Sequence, residues 1–372
     1  MSKPQPYELP EFYLPHPARL NPHLEATRVH TKAWAYEMDM IDTPAFEGGP
    51  PVMSERAFDT FDYGGLVAWT HPDASKEELD LLADWYVWVF WFDDHFLDTF
   101  KHTGDMAGAK EYLARLHRFM PVDGVDSGLE ITNATEKGLA DLWVRTVPAM
   151  SGEWRKRFIA NTIDLFDESL WELANRESGR LANPITYVLQ RRKVGGAPWS
   201  ANLVEHAIEA EWPLKVAHTR PLQVLSDTFS DGVHMLNDLF SYQREIETEG
   251  EINNAVHVMS EYFGLPLQKA ADLVNDIRTS RLKQFENTVF TELPALFAEY
   301  ALTPQEQAKI ALYASALQDW QVGGHEWHMN ASRYMNQKRG ATPPITTTGS
   351  GIGGLGTAAA NIRKIFGLEA VA

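Results

Sequence analysis

The sequence predicts an all-α protein folded as one helical bundle. Three observations predict it. From about Leu24 onward apolar residues recur at helical spacing, and two segments open with explicit helix-start signals. Nowhere do several β-branched runs alternate at period two. Met1 to Pro22 carries six prolines and several aromatics and reads as an extended arm laid over the body. Ser75 followed by Glu78 has the capping-box pattern and opens a long helix running to about Phe100. Helical stretches follow at 106–120, 152–179, 221–249, 267–300 and 305–336, the last announced by Thr303-Pro304 with Glu306. No polar linker divides the middle, so residues 23–338 should form a single domain. Residues 339–372 are rich in Thr, Pro and Gly and read as a flexible tail with a short helix at 357–366. The tail's formal G-x-G-x-x-G, Gly349 to Gly354, follows no strand, so a linker is the better reading than a dinucleotide site.

Composition narrows the function. Of 372 residues, 33 are Lys or Arg and 51 Asp or Glu, a net charge of −18, so a nucleic-acid partner is not expected. The strongest apolar run, Trp85 to Phe92, is far too short to span a bilayer, which needs about 20 residues. With no signal-like segment at the start, a cytoplasmic protein is expected. The absence of cysteine excludes disulfides and thiolate metal sites. His325-Glu326-Trp327-His328 is one residue short of the zinc-hydrolase spacing, and no histidine has Glu three residues before it, as a carboxylate di-iron bundle would require.

Two polar clusters remain. The aromatic run 85–92 leads directly into Asp93-Asp94-His95-Phe96-Leu97-Asp98. At ~100° per residue, Asp98 lies only ~40° from Asp94, while Asp93 and Asp94 diverge. Neighbouring carboxylates turned toward one interior repel and resist ionisation unless a cation neutralises them. They form either the polar end of a buried helix or a Mg²⁺ site of carboxylates, water and substrate oxygens. Tyr86, Val89 and Phe90 project near the Asp93 face and are the candidates to line a pocket beside it.

The second cluster is Asn237-Asp238-Leu239-Phe240-Ser241-Tyr242-Gln243-Arg244-Glu245. Asn237, Ser241 and Glu245 recur every fourth residue and share one helix stripe. Its ends are ~12 Å apart, but side chains lean toward the helix N-terminus, so a long Glu at the far end can reach back toward Ser and Asn. All three offer oxygen, the ligand a hard cation prefers. Taken together, the two clusters favour a divalent-cation site over two ordinary solvated stripes.

These two motifs resemble the aspartate-rich and Asn/Ser/Glu motifs of bacterial class I terpene synthases. The stretches from Phe12 to His23 and from Arg191 to Ser200, with the Arg333-Tyr334 pair, are most similar to the germacradienol-forming N-terminal domain of geosmin synthases. The resemblance covers about residues 7 to 340. Two positions depart from it: Asp98 stands where those relatives usually have Glu, and Arg244 where many have Lys.

The resemblance implies a single-domain class I terpenoid cyclase bundle at 23–338, monomeric or homodimeric, with the arm over its active-site side. It implies Mg²⁺-dependent cyclisation of farnesyl diphosphate to a sesquiterpene or its alcohol, with diphosphate as the other product. Three Mg²⁺ ions are implied, held by Asp93, with Asp98 a further ligand, and by Asn237, Ser241 and Glu245. Asp94 is expected to orient the site or pair with a base. Arg191, 46 residues before Asn237, matches the family's diphosphate-sensing arginine, with Arg192 its neighbouring rival. Gly195, in a Gly-Gly-x-Pro break, matches the effector whose free carbonyls face the reacting carbon, and Arg333 and Tyr334 match the pair that grips diphosphate on closure.

Overall fold

The computed structural model describes residues 5–44 and 48–335, and within them the chain is helical almost throughout. The tail at 339–372, with its glycine motif and short helix, lies outside the described residues. In chain order the helices are α1 (Leu24–Glu37), α2 (Glu55–Phe61), α3 (Tyr63–Thr70), α4 (Lys76–Phe96), α5 (Met106–His117), α6 (Ala134–Thr146) and α7 (Gly152–Ser178). There follow α8 (Pro184–Val194), α9 (Ala197–Ala207), α10 (Arg220–Arg244), α11 (Ala255–Phe263), α12 (Leu267–Asn287), α13 (Leu293–Glu299) and α14 (Pro304–Asn330). The described strand content is one isolated bridge between Pro44 and Pro51.

Both helix-start signals are used, in different ways. At α14 the box is complete: Thr303 Oγ1 accepts from the Glu306 amide at 3.3 Å, and the Glu306 carboxylate accepts from the Thr303 amide at 2.8 Å. At α4 only half is made. Ser75 accepts from the Glu78 amide at 3.2 Å, but the Glu78 carboxylate is drawn away to His206 Nδ1 at 2.6 Å. The stretch 267–300 is not one helix. A single π-turn at Thr288–Glu292 separates α12 from α13, and similar π-turns extend α4 (Leu97–Lys101) and α10 (Glu245–Glu249).

Helix α4 is apolar on nearly every side because it runs through the centre, against α1, α3, α6 and α9. Its Trp85 meets Trp88, Phe158 and Trp199 edge-on at 5.2–5.8 Å between ring centres. The indole of Trp88 donates to the Thr135 carbonyl at 2.9 Å, so the polar atom of that buried ring is satisfied. Helix α10 packs against α12, α14, α8, α9 and α11. α14 approaches α3 so closely that a side chain at Gly323 would stand 2.1 Å from the Trp69 carbonyl oxygen, which admits only glycine.

The proline-rich arm is extended and runs against the outer faces of the bundle helices. Tyr7 donates to the Leu239 carbonyl at 2.7 Å, Phe12 stacks on Phe240 at 5.4 Å, and Tyr13 donates to Glu286 at 3.0 Å. Tyr7 is buried and Phe12 and Tyr13 are half-buried along α10 and α12, and none of the described arm residues lines the cavity described below.

Replacing Trp88 with Ala should cost about 3–5 kcal/mol, since the site is wholly buried and surrounded by rigid rings. Chemical denaturation would measure this loss against wild type.

Candidate active site

One cavity opens among α4, α7, α8, α9, α10 and α14, and most of the residues singled out by sequence converge on it. Asp93 enters from α4, Arg191 and Gly195 from the end of α8, and Asn237, Ser241 and Glu245 from α10. Arg333 and Tyr334 come from the segment after α14, and Tyr86, Val89 and Phe90 form part of the wall. The wall is aromatic beyond these three. Trp199, Trp320 and Trp327 also line it, and the Trp320 indole donates to the Tyr86 hydroxyl at 2.9 Å.

Asp98 is not brought to the cavity. It lies half-buried beside His102, with Nδ1 3.4 Å from its carboxylate. Its expected alignment with Asp94 does not bring it there, because Asp94 is itself off the lining and five residues at ~100° each set Asp98 ~140° from Asp93, which does enter. Asp94 stands behind the lining as a buried anchor. Its oxygens accept from both terminal nitrogens of Arg333 at 2.7 and 2.8 Å and from Arg244 at 2.7 Å. The Arg333 guanidinium is further sandwiched near Phe61 and Phe90, at 5.1 and 5.3 Å from their ring centres.

Between the two adjacent arginines the structure is decisive as to position. Arg191 faces the cavity, ion-paired with Glu168 and 3.2 Å from Asp238. Arg192 turns away to Asp231, at 2.8 Å, and Asp227, at 3.3 Å. The Gly-Gly-x-Pro sequence does break the helix, with Gly196 at φ +75°, between α8 and α9. The carbonyls there are not free, however. Gly195 oxygen is engaged by His234 Nε2, and Arg192 oxygen accepts from Ser230 at 3.1 Å.

The sequence reading missed Lys101, Glu168 and Glu172, which face the same cavity. Glu168 and Glu172 sit four apart on α7, a stripe visible in the sequence, but nothing local announces what they face. Lys101 is ion-paired with Glu172 and lies 3.8 Å from Asp93. Burial raises the carboxyls of this cluster: Glu172 to about 7, against the pull of Lys101, and Glu245 to about 8, where Asp238 adds to the effect of burial.

The donor set fits a hard divalent cation completed by ligand oxygens. Ser241 Oγ is buried without a hydrogen-bond partner on the stripe between Asn237 and Glu245, and such an orphaned oxygen can be satisfied by a cation. Among the described residues no three His, Asp or Glu side chains are grouped to hold an ion by themselves. Neutral Asn and Ser oxygens, together with oxygens brought by a bound anion, would have to supply the remaining coordination.

Burial would raise the Asp94 carboxyl, but Arg333 and Arg244 outweigh it and hold the group below the usual carboxylate range. The stabilisation from this pairing is therefore present above the unfolded carboxylate pKa of ~3.9 and lost as pH falls through the lower folded value. Asp94→Asn should cost about 3–5 kcal/mol at neutral pH, since Arg333 loses its counter-charge. It should also flatten the acid limb of the stability profile, read by urea unfolding between pH 3 and 7.

Known proteins carry the same architecture. The family model described as terpene synthase family 2, C-terminal metal binding, matches residues 84–284. Pristinol synthase of Streptomyces pristinaespiralis is 26% identical over 325 residues, covering 86% of this chain and 83% of that protein. The farnesyl-diphosphate-cyclising 4-epi-cubebol synthase of Streptosporangium roseum is 25% identical over 340 residues, 91% of this chain and 96% of its own. The crystal structure of germacradien-4-ol synthase from Streptomyces citricolor superposes with a TM-score of 0.73 at 23% identity, covering 86% of this chain and 98% of that one. Helical bundle and sequence agree, and the chain belongs to terpene synthase family 2 as a class I terpene synthase.

Proposed function

We propose that the protein ionises and cyclises farnesyl diphosphate to a cyclic sesquiterpene or sesquiterpene alcohol, releasing diphosphate. The observation that carries this reading is the convergence of Asp93 from α4 and of Asn237, Ser241 and Glu245 from α10 on one cavity walled by aromatic rings. Relatives described as cyclising farnesyl diphosphate support the C15 substrate: the 4-epi-cubebol synthase and a (+)-T-muurolol synthase of Roseiflexus castenholzii, 26% identical over 321 residues.

Mg²⁺, three ions on the family pattern, supplies the charge neutralisation that lets the diphosphate leave. Asp93 on one wall and Asn237, Ser241 and Glu245 on the other are the residues assigned to hold it. Arg191, Arg333 and Tyr334 grip the diphosphate oxygens, for which a guanidinium fork is well shaped. Asp94 keeps Arg333 charged and in place. Tyr86, Val89, Phe90 and the tryptophans exclude water and present ring faces, each worth roughly 0.5–2 kcal/mol to a nearby cation. Gly195, at the helix break, is assigned to the reacting end, and its carbonyl must first part from His234 to act there.

Resemblance to the N-terminal domain of geosmin synthases favours a first closure joining C1 to C10. A germacradienol-type alcohol is the first expectation for the product, and another germacrene-derived or cadinane-type sesquiterpene the second. Cytoplasmic residence as a monomer or homodimer is part of the proposal; no described helix is long and apolar enough to cross a membrane.

Incubation with C10, C15 and C20 prenyl diphosphates and Mg²⁺, followed by gas chromatography–mass spectrometry, should yield a cyclic C15 product that chelator abolishes. Equal behaviour with and without chelator toward all three substrates would overturn the reading. Asn237→Ala and Glu245→Ala should each lower turnover by a factor of about 10² or more while the fold, read by circular dichroism, is retained. Phe90→Ala should redistribute products more than it lowers stability, and an unchanged product profile would assign Phe90 to packing alone.

A further inference from the structure

His328 lies on the last turn of α14, 4% exposed, and also lines the cavity. Its ring is held on several sides: Tyr334 at 4.6 Å, Phe240 at 5.2 Å and Trp327 at 5.0 Å between ring centres. Its two nitrogens have unequal partners. Nδ1 lies 2.7 Å from the backbone carbonyl oxygen of Gly324, one turn earlier. A carbonyl can only accept, so Nδ1 carries the proton and Nε2 of the neutral ring presents a lone pair. Nε2 lies 3.3 Å from Asn237 Nδ2, an amide that can donate to it.

An asparagine side chain can turn either end toward a neighbour, and its two orientations are nearly the same shape. Only one presents oxygen to a cation. With Nε2 of His328 as a fixed acceptor, the NH₂ end of Asn237 is held on the α14 side. Its Oδ1 then points toward the cavity, where Arg191 approaches at 3.5 Å. We propose that His328 is a positioning residue that sets the amide orientation of Asn237, so that its oxygen faces the metal site. The proposal rests on the assignment of Asn237 as a metal ligand. It adds a chain of determination from the Gly324 carbonyl through the imidazole tautomer to one oxygen atom. The same logic explains why a histidine is useful here: a ring with one donor and one acceptor transmits orientation, and a ring without nitrogens cannot.

The test uses two substitutions that differ in chemistry. His328→Phe keeps an aromatic ring among Tyr334, Phe240 and Trp327 but removes the acceptor. His328→Gln places an amide oxygen near the former Nε2. The first readout is independent of turnover: the Mg²⁺ concentration giving half the thermal stabilisation in the presence of inorganic diphosphate. His328→Phe should raise that concentration about 10-fold, on the scale of losing a group that orients a metal ligand, and His328→Gln should recover most of it. The apparent Mg²⁺ requirement of turnover should shift in parallel. In an Asn237→Asp background both side-chain ends are oxygen and no orientation is needed, so adding His328→Phe should cause a smaller shift than it does in wild type. A wild-type Mg²⁺ response in His328→Phe, or an equal shift in the Asn237→Asp background, would overturn the proposal and leave His328 a packing residue. If Asn237→Ala itself leaves the Mg²⁺ response unchanged, the ligand assignment beneath it fails instead. Should His328→Phe not fold, His328→Leu in the two backgrounds provides the same comparison.

Discussion

The structure depends first on a buried carboxylate that three chain segments share. Asp94 belongs to the last turn of α4, Arg244 to the last turn of α10, and Arg333 to the segment beyond α14. Without Asp94, the buried Arg333 guanidinium would lose its counter-charge beside Arg244, which keeps Glu249, and an uncompensated buried charge costs several kcal/mol. With it, the ends of the two motif-bearing helices and the segment carrying Tyr334 are held to one point. The geometry of the cavity mouth follows from that junction.

The cavity itself carries cations that are already paired. Arg191 rests on Glu168 and Lys101 on Glu172, and burial leaves both acids with raised proton affinity. On the proposed function, an incoming diphosphate competes with these carboxylates for the same donors, while divalent cations offset the acids left behind. The site is therefore an exchange of partners among charges that are satisfied before and after binding. The π-turns that close α4 and α10 fall at the acidic ends of both motifs.

Much of this was legible along the chain. The helical class, the complete cap at Thr303, and the stripe of Asn237, Ser241 and Glu245 depend on spacing within a single helix, which local periodicity reports directly. Tyr86, Val89 and Phe90 line the cavity beside Asp93 for the same reason: they lie within two turns of it on one regular helix. Asp98 shares the side of Asp94, ~140° from Asp93, and only the tertiary structure shows that the cavity lies on the Asp93 side. The arm was recognised as extended, but its route along α10 and α12 depends on grooves that other helices create.

By itself, then, the sequence determined the helical class, several of the long helices, the two oxygen-rich motifs and the family resemblance. Each of these is a property of neighbours within a few turns of chain. Tertiary structure alone decided which groups meet across long separations: Asp94 with Arg333, Arg191 rather than Arg192 at the cavity, and Gly195 against His234. The physical reason is that hydrogen bonds and ion pairs are decided at about 3 Å. Periodicity along a helix tells which way a side chain faces, but only the packing of helix against helix brings its partner within that distance.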